Sequence, residues 1–157
     1  MFLSRIWFVL IMTPFLLFSA CMKDQNESTL EPTGNRNLEL VKLSSYGIHD
    51  QNASNQAKEM LSYYDEIAGV RAVNHDKDLL IAIDVRHHDR FNLDSIESDV
   101  RKKINKNFSD LKVTLSTDRK ILIELEKLEK RMEAQDISDE QLKSRIKKIK
   151  SLTKEET

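Results

Sequence analysis

The chain has 157 residues, 32% of them charged and 39% hydrophobic, a length that suits one domain with appendages. Its 25 Lys and Arg residues nearly balance 26 Asp and Glu residues, so a general basic field cannot be the main force for binding nucleic acid. One cysteine excludes an internal disulfide and any zinc or iron–sulfur site built from several cysteines. The three glycines lie too far apart in sequence to form a glycine-rich phosphate loop.

The start of the chain has the three-part pattern of an export signal. Arg5 supplies a positive charge, residues 6–18 form an apolar stretch, and the small residues Ser19 and Ala20 end it. The stretch is shorter than the roughly 20 apolar residues that a membrane-spanning helix needs. We therefore predict that residues 1–20 are a signal peptide.

The end of this segment resembles a bacterial lipobox. Residues 18–21 read Phe-Ser-Ala-Cys, with Phe18 where that motif usually has leucine. The resemblance implies cleavage between Ala20 and Cys21, transfer of a diacylglyceryl group to the Cys21 thiol, and attached fatty acids such as palmitate. Two or three acyl chains, at about 0.8 kcal/mol per buried methylene, would hold the protein on a membrane. The alternatives are an ordinary secretory signal with an incidental cysteine and an uncleaved anchor.

Residues 21–52 are predicted to be the lipidated cysteine and a polar tether with a short apolar segment. The polar stretch after Cys21 cannot bury enough apolar surface to offset the entropy of ordering. The tether would hold the domain away from the bilayer. Its apolar segment predicts either an extra edge strand or a docking segment, and consists of Leu38, Leu40, Val41 and Leu43.

Residues 53–135 are predicted to form an α+β domain. Apolar residues spaced by three and four predict a first helix over residues 54–68, with Ser54 as N-cap and Gly69 directly after its end. Two strands follow over residues 70–74 and 79–86, and the second places alternate residues on opposite faces.

The remaining pattern of that domain predicts a helix, a strand and another helix. The helix carries an apolar stripe from Leu93 to Phe108, the strand alternates over residues 111–116, and Thr117 opens the last helix. We therefore predict a small αββαβ sandwich, in which a three-stranded sheet has helices on one face and C-terminal helices follow. The other face of the sheet is expected to be partly wet.

Residues 136–157 predict a basic amphipathic helix and tail. Ser138 and Gln141 have the spacing of a capping box. A solvated face of a helical hairpin is one interpretation of its charges, and contact with anionic lipid headgroups is the other. No aromatic residue is interleaved with the cations, so no nucleic-acid partner is expected. The cations that would form a membrane or partner contact are Lys143, Arg145, Lys147, Lys148 and Lys150.

No motif of this sequence points to catalysis. His87 and His88 are adjacent at a predicted strand end, where neighbouring side chains point to opposite faces, and they lack the spacing of strong metal motifs. No Gly-x-Ser-x-Gly nucleophile elbow occurs in the sequence. We therefore expect a protein that is not an enzyme and that has no metal and no cofactor. A hydrolase or metal-binding domain is an alternative that only the histidine pair would motivate.

Four segments of the predicted domain carry a family pattern. They are Ile-Ala-Gly-Val-Arg-Ala-Val at 67–73, Leu-Leu-Ile-Ala-Ile-Asp-Val at 79–85, the apolar stripe at 96–104, and Val-Thr-Leu-Ser-Thr-Asp at 113–118. Together with Cys21, this pattern resembles the YhcN/YlaJ family of sporulation lipoproteins. The resemblance implies a lipid-anchored protein on the extracytoplasmic face of a spore or forespore membrane, involved in spore formation, germination or outgrowth. The family has no established catalytic residues to carry over.

The order of the elements leaves a second function open. It is also similar to ring-building and BON-like modules, which mediate assembly at bacterial envelopes. The alternative is therefore a general cell-envelope lipoprotein not tied to sporulation, self-associating through a strand edge or the C-terminal helices. In either case the expected partners are the membrane and a protein that the sequence does not identify.

Overall fold

The computed structural model of the chain describes residues 42–43 and 49–155. Its elements confirm the α+β class with a three-stranded sheet and C-terminal helices. The predicted signal peptide, Ala20, Cys21 and most of the tether lie outside the described residues. In chain order the elements are α1 (Asn52–Leu61), β1 (Ile67–His75), β2 (Asp78–Val85), a 3₁₀ helix (His87–Asn92), α2 (Leu93–Asn107), β3 (Lys112–Ser116), α3 (Arg119–Glu133) and α4 (Asp139–Glu155).

The central strand of the sheet is β2, and the strand order is β1-β2-β3. β1 pairs with β2 in antiparallel fashion across a two-residue turn. Asp76 in this turn has φ of 50°, a left-handed conformation that aspartate tolerates better than most residues. β3 pairs with β2 in parallel because α2 carries the chain back between them.

Helices cover both faces of the sheet, instead of the single face that we expected. Alternate residues of β2 point to opposite sides because the side-chain period of a strand is two. Leu79, Ile81 and Ile83 enter one core with α1 and α2. Leu80 and Ala82 enter a second core with α3 and α4. The face expected to be partly wet is therefore buried, which explains why β2 is apolar along nearly its whole length.

The first helix ends earlier than the apolar spacing predicts. α1 stops at Leu61, and the Ser62 hydroxyl donates a hydrogen bond to the Glu59 carbonyl over 2.7 Å, which competes with a further helical turn. Ile67 pairs with Val85, so Gly69 lies within β1 rather than after a helix.

The helix starts also differ from two of our predictions. Gln51, not Ser54, is the N-cap residue of α1, and Ser54 lies inside the helix. Asp118, not Thr117, precedes α3, where its side chain accepts a 2.5 Å hydrogen bond from the Lys120 amide. The capping box of α4 is confirmed: Ser138 and Gln141 exchange hydrogen bonds of 3.4 Å.

Leu43 shows how the end of the predicted tether meets the domain. Its side chain is buried in the second core. The Asn55 side chain holds its backbone from both sides, accepting from the Leu43 amide over 2.9 Å and donating to the Leu43 carbonyl over 2.7 Å. Leu43 therefore docks on the domain, while the other apolar residues of that segment lie outside the described residues.

Candidate functional site

The five cations predicted as a contact surface lie on two flanks of α4. Lys143, Lys147 and Lys150 line a groove beside the turn between β1 and β2. Arg145 lies against α3, on the other flank. The buried stripe that fastens α4 to the second core runs between the flanks and consists of Leu142, Ile146 and Ile149.

The flank that faces α3 is close to an acidic side chain. A hydrogen bond from Lys127 holds the pKa of Glu124 below its ordinary value of 4.5, and the charges of Arg145 and Lys148 lower it further. These two α4 cations therefore interact with a carboxylate of the neighbouring helix, and the predicted surface is not one continuous basic face.

The groove on the other flank has a volume of about 420 Å³. Lys154 joins the three lysines there, and the spacing of four, three and four residues aligns all four along the helix. The Lys150 ammonium lies 2.7 Å from an Asp78 carboxylate oxygen. Within the described part of the chain, Lys143 and Lys147 have no carboxylate within ion-pair distance.

One end of this groove lies beside a contact between two histidines and the first residue of α4. His75 Nε2 lies 2.8 Å from Asp139 Oδ1, and His49 Nδ1 lies 3.4 Å from the same oxygen. The hydrogen bond with His75 lowers the pKa of Asp139 below its ordinary value of 3.8. The contact links the start of α4 to the end of β1. No local sequence motif indicates this contact, because 64 residues separate His75 from Asp139.

The histidine pair singled out in the sequence lies elsewhere. His87 and His88 are exposed and belong to the 3₁₀ helix, since β2 ends at Val85. His88 Nε2 contacts Asp89 Oδ2 over 3.1 Å. In residues 42–43 and 49–155, no group of three His, Cys, Asp or Glu residues could hold a metal ion.

A buried ion pair links α1 to α3. Lys58 Nζ lies 3.1 Å from Glu129 Oε1, and Arg71 Nε lies 3.5 Å from Glu129 Oε2. Burial raises the pKa of Glu129 and lowers the pKa of Lys58, because desolvation disfavours both charged forms, while their mutual attraction acts in the opposite direction. Neither residue stands out among the charged residues of its helix, so no sequence signal indicates this pair.

Side chains close the outer edge of β1. The Ala72 amide donates to Glu129 Oε1 over 3.1 Å. The Asn74 amide donates to Gln51 Oε1 over 3.1 Å, and Gln51 Nε2 donates to the Asn74 carbonyl over 2.6 Å. These contacts occupy three of the backbone groups that another strand would use, namely the Ala72 amide and the amide and carbonyl of Asn74.

The opposite edge of the sheet is β3, whose neighbour is β2. The Lys112 amide donates to the Lys77 carbonyl, so in a parallel pair the backbone groups of Val113 and Leu115 point away from β2. Among the described strands none lies on that side of β3. The two sheet edges therefore differ: side chains bond to backbone groups of β1, whereas among the described residues the outer side of β3 has no neighbouring strand.

A second groove lies between the ends of α1 and α2, with a volume of about 870 Å³. Tyr63 is exposed there, whereas the neighbouring Tyr64 packs against the first core. Acidic side chains share the lining, namely Glu59, Asp65 and Glu66.

Comparisons with known proteins place the chain. Across the described part of the chain, no helix has the length and apolar character needed to cross a membrane. Searches of curated proteins and of solved structures returned no match. The family model described as sporulation lipoprotein YhcN/YlaJ matches residues 23–150, which is most of the chain and reaches from the predicted tether into α4. The resemblance seen in the sequence is thereby confirmed, and the chain belongs to the YhcN/YlaJ family of sporulation lipoproteins.

Proposed function

We propose that this protein is anchored by a lipid on Cys21 and acts, without catalysis, at a membrane of the developing or mature spore. The carrying observation is the match of residues 23–150 to a family of sporulation lipoproteins. Cys21, the single cysteine of the chain, lies two residues before the start of that match and directly after the small pair Ser19 and Ala20. The domain would then lie on the extracytoplasmic face.

The role we propose is a contribution to spore formation, germination or outgrowth through contacts with the membrane or with a protein partner. Two surface features of the domain support this role. Lysines line an open groove on one flank of α4, and no described strand lies on the outer side of β3. Both features suit binding to another surface.

The anchor is tested by mass spectrometry of the mature protein from a sporulating culture. We expect an N-terminal peptide that begins at Cys21 and carries a diacylglyceryl group. The matched control is Cys21→Ser, which should accumulate uncleaved. An unmodified Cys21, or a mature chain that begins elsewhere, would contradict the anchor.

The role is tested by expression timing and by deletion of the gene. We expect transcription confined to sporulation, and spores of the deletion strain with lower yield, germination or outgrowth. Wild-type protein should restore the defect and the Cys21→Ser chain should not. Constant expression with normal spores would instead favour a general envelope lipoprotein.

Self-association is a second candidate, favoured by the outer side of β3, where no described strand lies. Val113→Pro would remove an outward N–H without removing a hydrogen bond to β2. We expect the wild-type chain to form crosslinked dimers and this variant to form fewer, with an unchanged circular dichroism spectrum. A wild-type chain that stays monomeric at high concentration would exclude this candidate.

A further inference from the structure

The lysine groove between α4 and the turn of the β1–β2 hairpin has the charge and the shape of an anion site. Among the described residues, four ammonium groups and two carboxylates line it, and the Asp139 carboxylate lies at one end beside His75, so ammonium groups outnumber carboxylates. The charged groups of the lining are Lys143, Lys147, Lys150, Lys154, Asp76 and Asp78, with Asp139 at the end of the groove.

The lysines are held by two independent features of the fold. Leu142, Ile146 and Ile149 are almost completely buried, which fixes the rotation of α4 and hence the flank that faces the turn. Asp78 holds Lys150 by a 2.7 Å ion pair. The groove therefore does not depend on the N-terminal anchor.

We propose that this groove binds a phosphate-bearing anion, with Lys143 and Lys147 as the main ligands. Both lysines are exposed and, among the described residues, neither has a carboxylate within ion-pair distance, although the charge of Lys143 acts on Asp139 one turn before it. An ammonium group offers three donors to the several acceptor oxygens of a phosphate. The phosphate can come from an anionic phospholipid headgroup or from a free phosphate in solution. The headgroup source would deepen the proposed function, since it gives the anchored domain a second contact with the membrane.

The chemistry of the lining disfavours nucleic acid. Among the described residues that line the groove there is no Phe, Tyr or Trp on which a base could stack. Asp76 and Asp78 would also repel a continuous phosphate backbone, whereas one phosphate group can be held between Lys143 and Lys147.

The test compares two adjacent lysines of one helix. The full chain, held in neutral detergent micelles, is treated with an amine-acetylating reagent, and the acetylation rates of Lys147 and Lys148 are measured by mass spectrometry. The separate additions are phosphatidylglycerol in the micelles, phosphatidylcholine in the micelles, inorganic phosphate, and a short DNA duplex. The micelle holds the chain through an acylated Cys21 or through an uncleaved apolar leader, so the result does not depend on whether the lipid anchor exists.

We expect phosphatidylglycerol or inorganic phosphate to slow acetylation of Lys147 about threefold or more and to leave Lys148 nearly unchanged, while phosphatidylcholine protects neither. Protection by phosphatidylglycerol alone assigns the headgroup, and protection by inorganic phosphate assigns a compact anion site. Absence of protection, equal protection of both lysines, or protection by DNA alone would overturn the proposal.

Three variants have different expected effects on anion binding. Lys143→Gln combined with Lys147→Gln should weaken binding of phosphatidylglycerol micelles or phosphate by roughly an order of magnitude. Arg145→Gln combined with Lys148→Gln removes the same charge from the other flank and should change binding little. Asp76→Asn should strengthen binding, and asparagine tolerates the left-handed backbone at that position. Equal weakening by the two double variants would overturn the proposal.

Discussion

The side chains of Lys58 and Glu129 meet at a separation of 3.1 Å, Nζ to Oε1, and each is only 1% exposed. The Ala72 amide donates to the same carboxylate oxygen. Three parts of the fold therefore converge on one carboxylate: α1, the outer edge of β1, and α3. A buried ion pair contributes little net stability when complete, but the loss of one partner leaves a charge without compensation.

Removal of Lys58 should strongly destabilise the domain. Lys58→Met leaves Glu129 buried, with the more distant Arg71 as its remaining charged partner among the described residues. We expect a loss of about 3–5 kcal/mol in the free energy of unfolding, measured by urea denaturation of the full chain in neutral micelles.

A second variant separates the charge effect from a simple loss of packing. Lys58→Met combined with Glu129→Gln removes both charges and keeps an amide oxygen that can accept from Ala72. This double variant should be more stable than Lys58→Met alone. If its destabilisation equals the sum of the two single variants, the ion pair does not account for the effect.

Loss of Gln51 should both destabilise the chain and uncover the edge of β1. Gln51→Ala leaves the amide and the carbonyl of Asn74 without their partners. An unsatisfied buried polar group costs about 1–3 kcal/mol, so we expect the free energy of unfolding to fall by about that amount. We also expect faster aggregation, which light scattering would measure. The matched control is Gln56→Ala, an exposed glutamine of the same helix. Equal aggregation of both variants would contradict the edge-covering role.

Asp139 should give the chain a specific response to acid. Its pKa is lowered chiefly by the hydrogen bond with His75, so the ionised carboxylate stabilises the folded state above the ordinary value of 3.8. That contribution is lost as the pH falls below 3.8, through the lower pKa of the folded state. The difference in urea midpoint between wild type and Asp139→Asn should therefore be present at neutral pH and vanish in strong acid. Glu140→Gln, which removes a neighbouring first-turn charge, should not reproduce this profile.

The buried face of α4 should be an integral part of the fold. Leu142 is fully buried in the second core, so Leu142→Ala should cost about 2–5 kcal/mol in the free energy of unfolding. Ser144→Ala changes an exposed residue of the same helix and should shift the free energy of unfolding by about 0.5 kcal/mol or less. A small effect of Leu142→Ala would mean that the sheet does not need α4 for stability.

Much of the fold could be predicted because local patterns and tertiary structure agree. The alternation in β2, the stripe of α2 and the capping box of α4 each depend on residues close in sequence. The end of α1 could not be predicted in this way. Tyr64 and Ala68 continue the helical spacing, but the hydrogen bond of Ser62 ends the helix. Ile67 then pairs with Val85, so the residues from Ile67 onward belong to the sheet.

The candidate site was predictable only as a set of residue types. The sequence identifies the cations of α4 but not the division between flanks, because that depends on which side faces Asp78, 72 residues from Lys150. The covering of both sheet faces could not be predicted either, because it also depends on contacts between residues far apart in sequence. The sequence of β2 alone does not show that the face with Leu80 and Ala82 is buried, because the helices that cover it, α3 and α4, come much later in the chain.

The unequal edges of the sheet have a consequence for how copies of this domain could assemble. A sheet with two open edges can add strands at both ends and grow into a fibre. Here Gln51 and Glu129 bond to backbone groups at the β1 edge, so among the described strands pairing would use the β3 edge of each copy. Assembly by strand pairing would then stop at a closed two-fold dimer.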